Sequence, residues 1–405
     1  MVKNKTMKHL YSIILLLLAV SLQTEACTTA IISGKYTADG RPLLYKHRDT
    51  GSLQNKLMHF TDGKYSYVGI VNSTDKEGKE VWGGYNSAGF AIMNSASYNI
   101  NPTNMGNEER EGIVMKMALQ HCATLADFEK MLSDLPRPMH LSANFGVIDA
   151  QGGCAYYETN DIGFKKFDAN DLSIASMGYI IRTNYSFSGD RERDMGLSRY
   201  QSSSGLFYKA SLANGLSYRF LLQDVSRCLT HGITGVDLYS IMPENGDKPV
   251  YYPFRDFIPR YSTSSVIIVQ GVKEKEPIEQ TTMWTILGSP LTTPAIPIWL
   301  NKDQIYPSTM LADETGNAKL CDWSLTLKKR LFPIERGEGK DYISLSTLIS
   351  KDKKGVLQQI LDIENQILDY SETTINKWGK DGHTKDNMNI FYNGINKKLE
   401  EYFNL

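Results

Sequence analysis

The longest purely apolar run lies at the start: residues 10–22 are interrupted only by Ser12, Ser21 and the Tyr11 hydroxyl, and Lys3, Lys5 and Lys8 precede it. That run is too short to span a bilayer. A basic head, a short apolar body and a small residue at Ala26, with Thr24 two before it, read as a secretory leader cut after Ala26. Behind it the pattern shortens. Residues 27–33 read as a strand, a turn sits around Asp39-Gly40, and residues 42–46 return as the second strand of a hairpin. Further short apolar strands are expected at 65–71, 89–94, 145–149, 154–158 and 265–269. Between them, Val114, Met117, Ala118, Cys122, Leu125, Phe128, Met131 and Leu132 recur at helical spacing, so 112–132 reads as one helix and 216–229 as another. The Pro-rich stretch 288–300 reads as a loop. Beyond Ser350, Val356, Ile360, Ile363 and Ile367 fall at a 4-3-4 spacing, and Ile390, Tyr392, Ile395 and Leu399 suggest a second apolar helix face. Strand pairs separated by amphipathic helices, without strict alternation, predict stacked sheets flanked by helices.

Composition narrows the chemistry. The 405 residues carry 44 basic and 45 acidic side chains, which excludes a dedicated nucleic-acid binder and implies no strongly charged partner. Five cysteines, at 27, 122, 154, 228 and 321, are widely spaced and contain no C-x-x-C, so neither a disulfide framework nor a metal site is legible. No Walker loop or dinucleotide fingerprint is present, and no cofactor is expected.

A cut after Ala26 makes Cys27 the first residue, and two readings of it exclude each other. A lipoprotein would carry lipid on the thiol and an acyl group on the amine. An N-terminal nucleophile would keep both free, the thiol to attack a carbonyl and the α-amine, with a reference pKa of about 7.7–8.0, to act as base. Residues 45–50, Tyr-Lys-His-Arg-Asp-Thr, end the returning strand of the hairpin and form the densest ionisable cluster near Cys27. A hairpin brings Asp49 beside the chain start, although Arg48-Asp49 alone could equally be an exposed turn pair.

Cys27-Thr28-Thr29, the hairpin ending in Lys46-His47-Arg48-Asp49, the run Gly84-Tyr85-Asn86-Ser87-Ala88-Gly89-Phe90-Ala91, the stretch from Asn144 to Glu158, and Arg182-Thr183-Asn184-Tyr185 together resemble the N-terminal-nucleophile cysteine amidases. That group includes choloylglycine hydrolases, penicillin V acylases and isopenicillin N acyltransferase-like proteins, and the Gly-Tyr-Asn segment is most similar to the last branch. The resemblance runs over about residues 27 to 300. It implies an α+β fold, the four-layer αββα sandwich, in a domain spanning 27–350, with residues 351–405 as an added helical extension packed on the core. It further implies that Cys27 is the nucleophile, that Asp49 holds its amine and thiol, and that Asn184 contributes to the oxyanion hole. Asn184-Tyr185-Ser186 also satisfies a glycosylation sequon. Asn94 corresponds to a second asparagine, offset by two residues from the choloylglycine pattern with strand parity kept. For the family's late arginine, Arg260 is preferred over Arg199. Lys46 stands where choloylglycine hydrolases place an arginine, keeping the charge without the bidentate fork.

The function implied is hydrolysis of a linear, non-peptide amide outside the cytoplasm, in the periplasm or beyond, through a thioester on Cys27. The substrate is expected to be a small amide with an apolar acyl group, such as an N-acyl amide, a bile-salt conjugate or a penicillin-V-like compound; Trp284 and residues 288–300 either help to hold that group or form a core edge. An acyltransferase using the same thioester is one alternative, and a non-catalytic lipoprotein anchored at Cys27 is another. The histidines read as ordinary, which sets aside a Cys-His protease. The leader peptidase itself is expected to expose Cys27. A homo-oligomer is a possibility carried by the resemblance alone.

Overall fold

The computed structural model describes residues 26–101, 110–378 and 382–403. The expected leader, residues 1–26, lies outside them except for Ala26.

Among the described residues, most strands fall into two antiparallel sheets. The first sheet is six-stranded, in the order β10 (Tyr179–Arg182), β1 (Thr28–Ile32), β2 (Leu43–Asp49), β12 (Thr263–Gln270), β13 (Thr282–Leu287) and β14 (Ile296–Ile298). The second is seven-stranded in simple chain order: β3 (Asn55–Phe60), β4 (Tyr67–Asn72), β5 (Gly84–Asn86), β6 (Ala91–Ala96), β7 (Ala143–Ile148), β8 (Cys154–Thr159) and β9 (Phe164–Asp168). A two-stranded ribbon, β11 (Tyr251–Pro253) with β15 (Tyr342–Ser344), stands apart.

Period-two alternation sorts each strand's side chains between two layers. Ile31, Leu44, Ile267 and Val269 meet Val68, Ile70, Met93 and Tyr156 between the sheets. Their neighbours Ile32, Leu43, Tyr45, Val266 and Ile268 face the opposite way and pack with Phe207, Leu221 and Leu222. The outer face of the second sheet, with Tyr67, Phe90, Ile92 and Phe145, is covered by α1 (Glu111–His121) and α2 (Leu125–Asp134). Helices therefore close both outer faces, and the αββα sandwich expected from the sequence is the observed architecture.

The Gly-Tyr-Asn segment owes its composition to this packing. A side chain on Gly84 would meet the Val68 carbonyl oxygen at 2.1 Å, so the strand pair closes only with glycine there. Asn86 then ties the β5–β6 turn to the end of α1: its Oδ1 accepts from the Ala88 and Phe90 amides, and its Nδ2 donates to the Leu119 and Cys122 carbonyls.

Several expectations are corrected. The single helix at 112–132 is two, because Thr124 and Asp127 form a capping box that starts α2 afresh. Residues 216–229 hold only a short helical turn, Tyr218–Phe220, followed by a wider π turn, Leu221–Val225. The long helix on that face is α3 (Leu197–Leu212), whose buried side is made of Ser198, Arg199, Ser202, Ser203 and Phe207 and so lacks an apolar period. Residues 288–300 are not all loop, since β14 lies within them.

After α4 (Lys319–Leu331) the chain enters α5 (Val356–Trp378) and α6 (Lys385–Phe403). Ile363, Ile367, Met388, Phe391, Tyr392, Ile395 and Leu399 share one apolar cluster with Met283, Ile296 and Trp299. Ile390, counted above on the apolar face, is solvent-exposed instead. The α5 helix is also pinned by a buried ion pair. Glu364 accepts from Arg227 Nη1 at 2.8 Å and Nη2 at 2.6 Å, and from the Ala295 amide at 2.8 Å.

Candidate active site

Sheet order builds the site. The arrangement β10-β1-β2-β12 puts the ends of four strands side by side, so Asn184, Cys27, Asp49 and Thr263 line up at one edge though they are far apart in sequence. Pairing of Thr28 with His47 and of Thr29 with Arg182 sets the register, and the Ala26 amide donates to the Asp49 carbonyl at 3.1 Å.

Cys27 is buried, and its nitrogen donates to Asn184 Oδ1 at 2.9 Å. With Ala26 still attached that nitrogen is a peptide amide; in a chain beginning at Cys27 it stands for the α-amine. Asn184 Oδ1 also accepts from Arg199 Nη2 at 2.8 Å, while Nδ2 donates to the Ala96 carbonyl at 3.0 Å. Two donors on one atom and a carbonyl on the other fix the orientation of the amide group. Asn184 is fully buried, so the sequon it heads is closed to glycosylation in the folded chain.

Asp49 is likewise fully buried within β2, not part of an exposed turn. One carboxylate oxygen takes a charge-assisted bond from Arg260 Nη2, and the other accepts from Thr263 Oγ1 at 2.6 Å. Arg260 Nη2 also reaches the Ala26 carbonyl oxygen at 3.0 Å, across the bond whose cleavage would free Cys27. Asn94 comes from the facing sheet, where its Oδ1 accepts from Lys46 Nζ at 2.6 Å.

Both arginines reach the Ala26–Cys27 segment. Arg260 holds Asp49 and the Ala26 carbonyl, whereas Arg199, from α3, donates to the Cys27 carbonyl, to Thr28 Oγ1 and to Asn184. Burial and the nearby Arg260 cation push the Arg199 pKa down to about 9, which leaves it charged at neutral pH.

His47 is not an ordinary histidine either. It is buried beside Asp49 and Thr263, and desolvation pushes its pKa down to about 4 despite the Asp49 charge, so the ring is neutral. No sequence signal beyond adjacency to Asp49 could have singled it out.

The segment carrying Asn184 is clamped from three sides. Glu158 accepts from Arg182 Nε at 2.7 Å, from the Phe187 and Ser188 amides at 2.8 Å each, and from Ser188 Oγ. Asn144 Nδ2 donates to the Thr183 and Tyr185 carbonyls, and Asn99 pairs with the Ser186 backbone in both directions. Such fully connected networks hold a side chain in one place.

A cavity of about 520 Å³ opens beside Ala26, between Thr50–Leu53, Phe254–Ser262 and Lys340–Asp341. Trp284 and residues 288–300 are not in its wall. Trp284 is buried in the outer layer, stacked on Tyr218 at 4.2 Å, so its role is core.

The site thus combines a buried cysteine at the head of an antiparallel strand, an asparagine on its nitrogen and an aspartate–arginine pair beside it, in an αββα sandwich. Residues 37–216 match the family model for acyl-coenzyme A:6-aminopenicillanic acid acyl-transferase, a segment that includes Asp49, Asn94, Asn184 and Arg199 and begins after Cys27. That match covers less than half of the chain, and over it the chain is similar to that acyltransferase family. No curated protein matches it in sequence. Among solved structures it is similar to an N-acylethanolamine-hydrolyzing acid amidase ortholog from Caenorhabditis elegans (12% identity, TM-score 0.38, covering 64% of this chain and 99% of that chain). It is also similar to a variant of conjugated bile acid hydrolase from Clostridium perfringens (10%, 0.39, 68% and 93%) and to penicillin V acylase from Agrobacterium tumefaciens (14%, 0.38, 69% and 87%). These likenesses are loose.

Proposed function

We propose that the chain, cut after Ala26 during export, is a cysteine amidase that hydrolyses a linear non-peptide amide. The observation that carries this reading is the Cys27 nitrogen held by Asn184 Oδ1 inside a buried cluster with Arg199, next to the Asp49–Arg260 pair. Once that nitrogen is an α-amine, it takes the thiol proton as Cys27 Sγ attacks the substrate carbonyl carbon. The C–N bond of the tetrahedral adduct then breaks, and the leaving amine departs with the proton. A water molecule, deprotonated by the same amine, attacks the thioester and releases the acid. Asn184, Asn94 and a backbone N–H are the proposed partners of the oxyanion, and the cavity beside Ala26 is the proposed substrate entrance. If an amine reaches the thioester first, the site is an acyltransferase.

Burial argues for the enzyme over the lipoprotein, because the enclosed Cys27 side chain has no room for a lipid on its thiol. The same burial implies that the leader peptidase cuts before β1 docks.

The test combines intact-mass analysis of the exported protein with amine release from a panel of N-acyl amino acids, bile-salt conjugates and penicillin V. A chain starting at Cys27 without lipid, active on one of these and silent as Cys27→Ser, is expected. A lipid adduct on Cys27, or activity that survives Cys27→Ser, would overturn the reading.

A further inference from the structure

Asp49 is held by groups that the reaction scheme above does not name. Thr263 is fully buried, and every bonding position of its hydroxyl is used. Its single hydrogen points to Asp49 Oδ1 at 2.6 Å, so its lone pairs must receive, and they do: the Arg260 amide donates at 2.9 Å, and His47 Nε2 lies at 3.1 Å. The donor at His47 therefore has to be Nε2–H, which leaves Nδ1 bare, and Nδ1 is indeed a buried atom with no partner. One hydroxyl thus sets the orientation of the carboxylate, the tautomer of the imidazole and the backbone position of Arg260.

The backbone beneath is fixed by a second group. Lys328, on α4, is buried and donates its ammonium to the Tyr261 carbonyl at 3.0 Å and the Thr263 carbonyl at 2.7 Å. Both carbonyls belong to the turn from Arg260 to Thr263, which the Thr263 amide closes on the Arg260 carbonyl. Burial pushes the Lys328 pKa down to about 8, partly countered by Cys321 and Asp49, so the charge is kept at a cost that an ordinary packing position would not carry. The pairing of β2 with β12 also shifts register between Thr263 and Ser265, an irregularity of the kind that re-aims a side chain. Thr263 and Lys328 both lie beyond the segment that matches the family model.

We infer that Thr263, steadied by Lys328 and shared with His47, is a positioning residue for Asp49 and hence for the Cys27 terminus. The inference rests on the nucleophile reading above, so its test needs a readout that survives if no substrate is found. Thr263→Val keeps the shape of the side chain and removes the hydroxyl. It leaves Asp49 Oδ1 and two buried N–H donors short of a partner. Thr263→Ser returns the hydroxyl.

The measurement is twofold: kcat and KM on whichever amide the mature protein hydrolyses, and the pH profile of Cys27 alkylation by iodoacetamide, which requires no substrate. For Thr263→Val, kcat is expected to fall by roughly 10- to 100-fold with KM little changed, as for displacement of a group near the reacting atoms. The alkylation profile is expected to move, Thr263→Ser to restore both, and Lys328→Met to follow Thr263→Val. Wild-type kcat and an unmoved alkylation profile in Thr263→Val would overturn the inference. If Thr263→Val fails to fold, the Lys328→Met and Thr263→Ser profiles decide, and an unmoved profile in Lys328→Met counts against it. Should no amide be hydrolysed by the wild type, the amidase reading fails while the alkylation profiles still test the frame.

Discussion

Replacing Glu158 by Gln changes one oxygen for an amino group and leaves the volume intact, yet the structure makes it a severe change. The carboxylate accepts from four donors: Arg182 Nε, the Phe187 and Ser188 amides, and Ser188 Oγ. A glutamine oxygen can serve Arg182 and Phe187, but its amino group then faces the Ser188 amide, leaving two buried donors against each other. An orphaned buried N–H costs about 1–3 kcal/mol, and removing the charge opposite a buried arginine costs about 3–5 kcal/mol when nothing else compensates. Arg182 keeps the Ile181 carbonyl and the Phe187 ring, 3.9 Å from its guanidinium carbon, so a total near 4 kcal/mol is expected. Over roughly 380 residues, at about 2.1 cal/mol/K each, that lowers Tm by about 5 °C. The same change loosens the segment that carries Asn184, and a displacement of about 1 Å there would cost roughly 10²-fold in kcat. Thermal melts followed by circular dichroism, with turnover measured well below Tm, provide the assay. A Glu158→Gln protein that melts within a degree of wild type and turns over normally would refute the view that this carboxylate sets the Asn184 loop.

Three further outcomes are expected. Glu364→Leu leaves the buried Arg227 uncompensated and should cost about 3–5 kcal/mol, whereas adding Arg227→Met should recover much of that loss; strictly additive melting losses in the four-member cycle would contradict the pairing. The folded pKa of His47, about 4, lies below its ordinary value of 6.5 because burial disfavours the imidazolium, with Arg260, Arg199 and Arg227 adding repulsion against the Asp49 attraction. The unfolded chain therefore takes up the proton first, so stability is complete above about pH 6.5 and is lost as pH falls toward 4, by roughly 3 kcal/mol; Tm against pH should fall less steeply in His47→Gln, and parallel curves would count against it. Trp284→Ala, which empties a stacked core position, should lower stability by about 3–5 kcal/mol without changing KM, and a KM effect in the folded variant would return Trp284 to the substrate site.

Much of the fold was readable because sheets announce themselves locally. The β1–β2 hairpin and strands β6, β7, β8 and β12 follow from short apolar runs between turn residues, and the apolar faces of α5 and α6 follow from their spacing. Where the reading failed, tertiary context had replaced the local signal. The Thr124–Asp127 capping box cut a continuous apolar period in two, and α3 escaped notice because its buried face is mostly serine and arginine. Ile390 matched an apolar period and still faces solvent.

The site divides in the same way. By itself, the sequence determined the nucleophile candidate, since the order of basic head, apolar run and Ala26-Cys27 is local, and it determined the motifs that mark Asp49 and Asn184. Only the tertiary structure decided who touches whom. Strand order brings residues 27, 49, 184 and 263 to one end of the sheet, while packing brings Arg199 from α3, Arg260 from the turn before β12, and His47 and Lys328 into the same cluster. The physical reason is that a hydrogen bond reaches about 3 Å and takes no account of separation along the chain. Composition and spacing report which groups exist, whereas burial and sheet register decide which of them must satisfy one another.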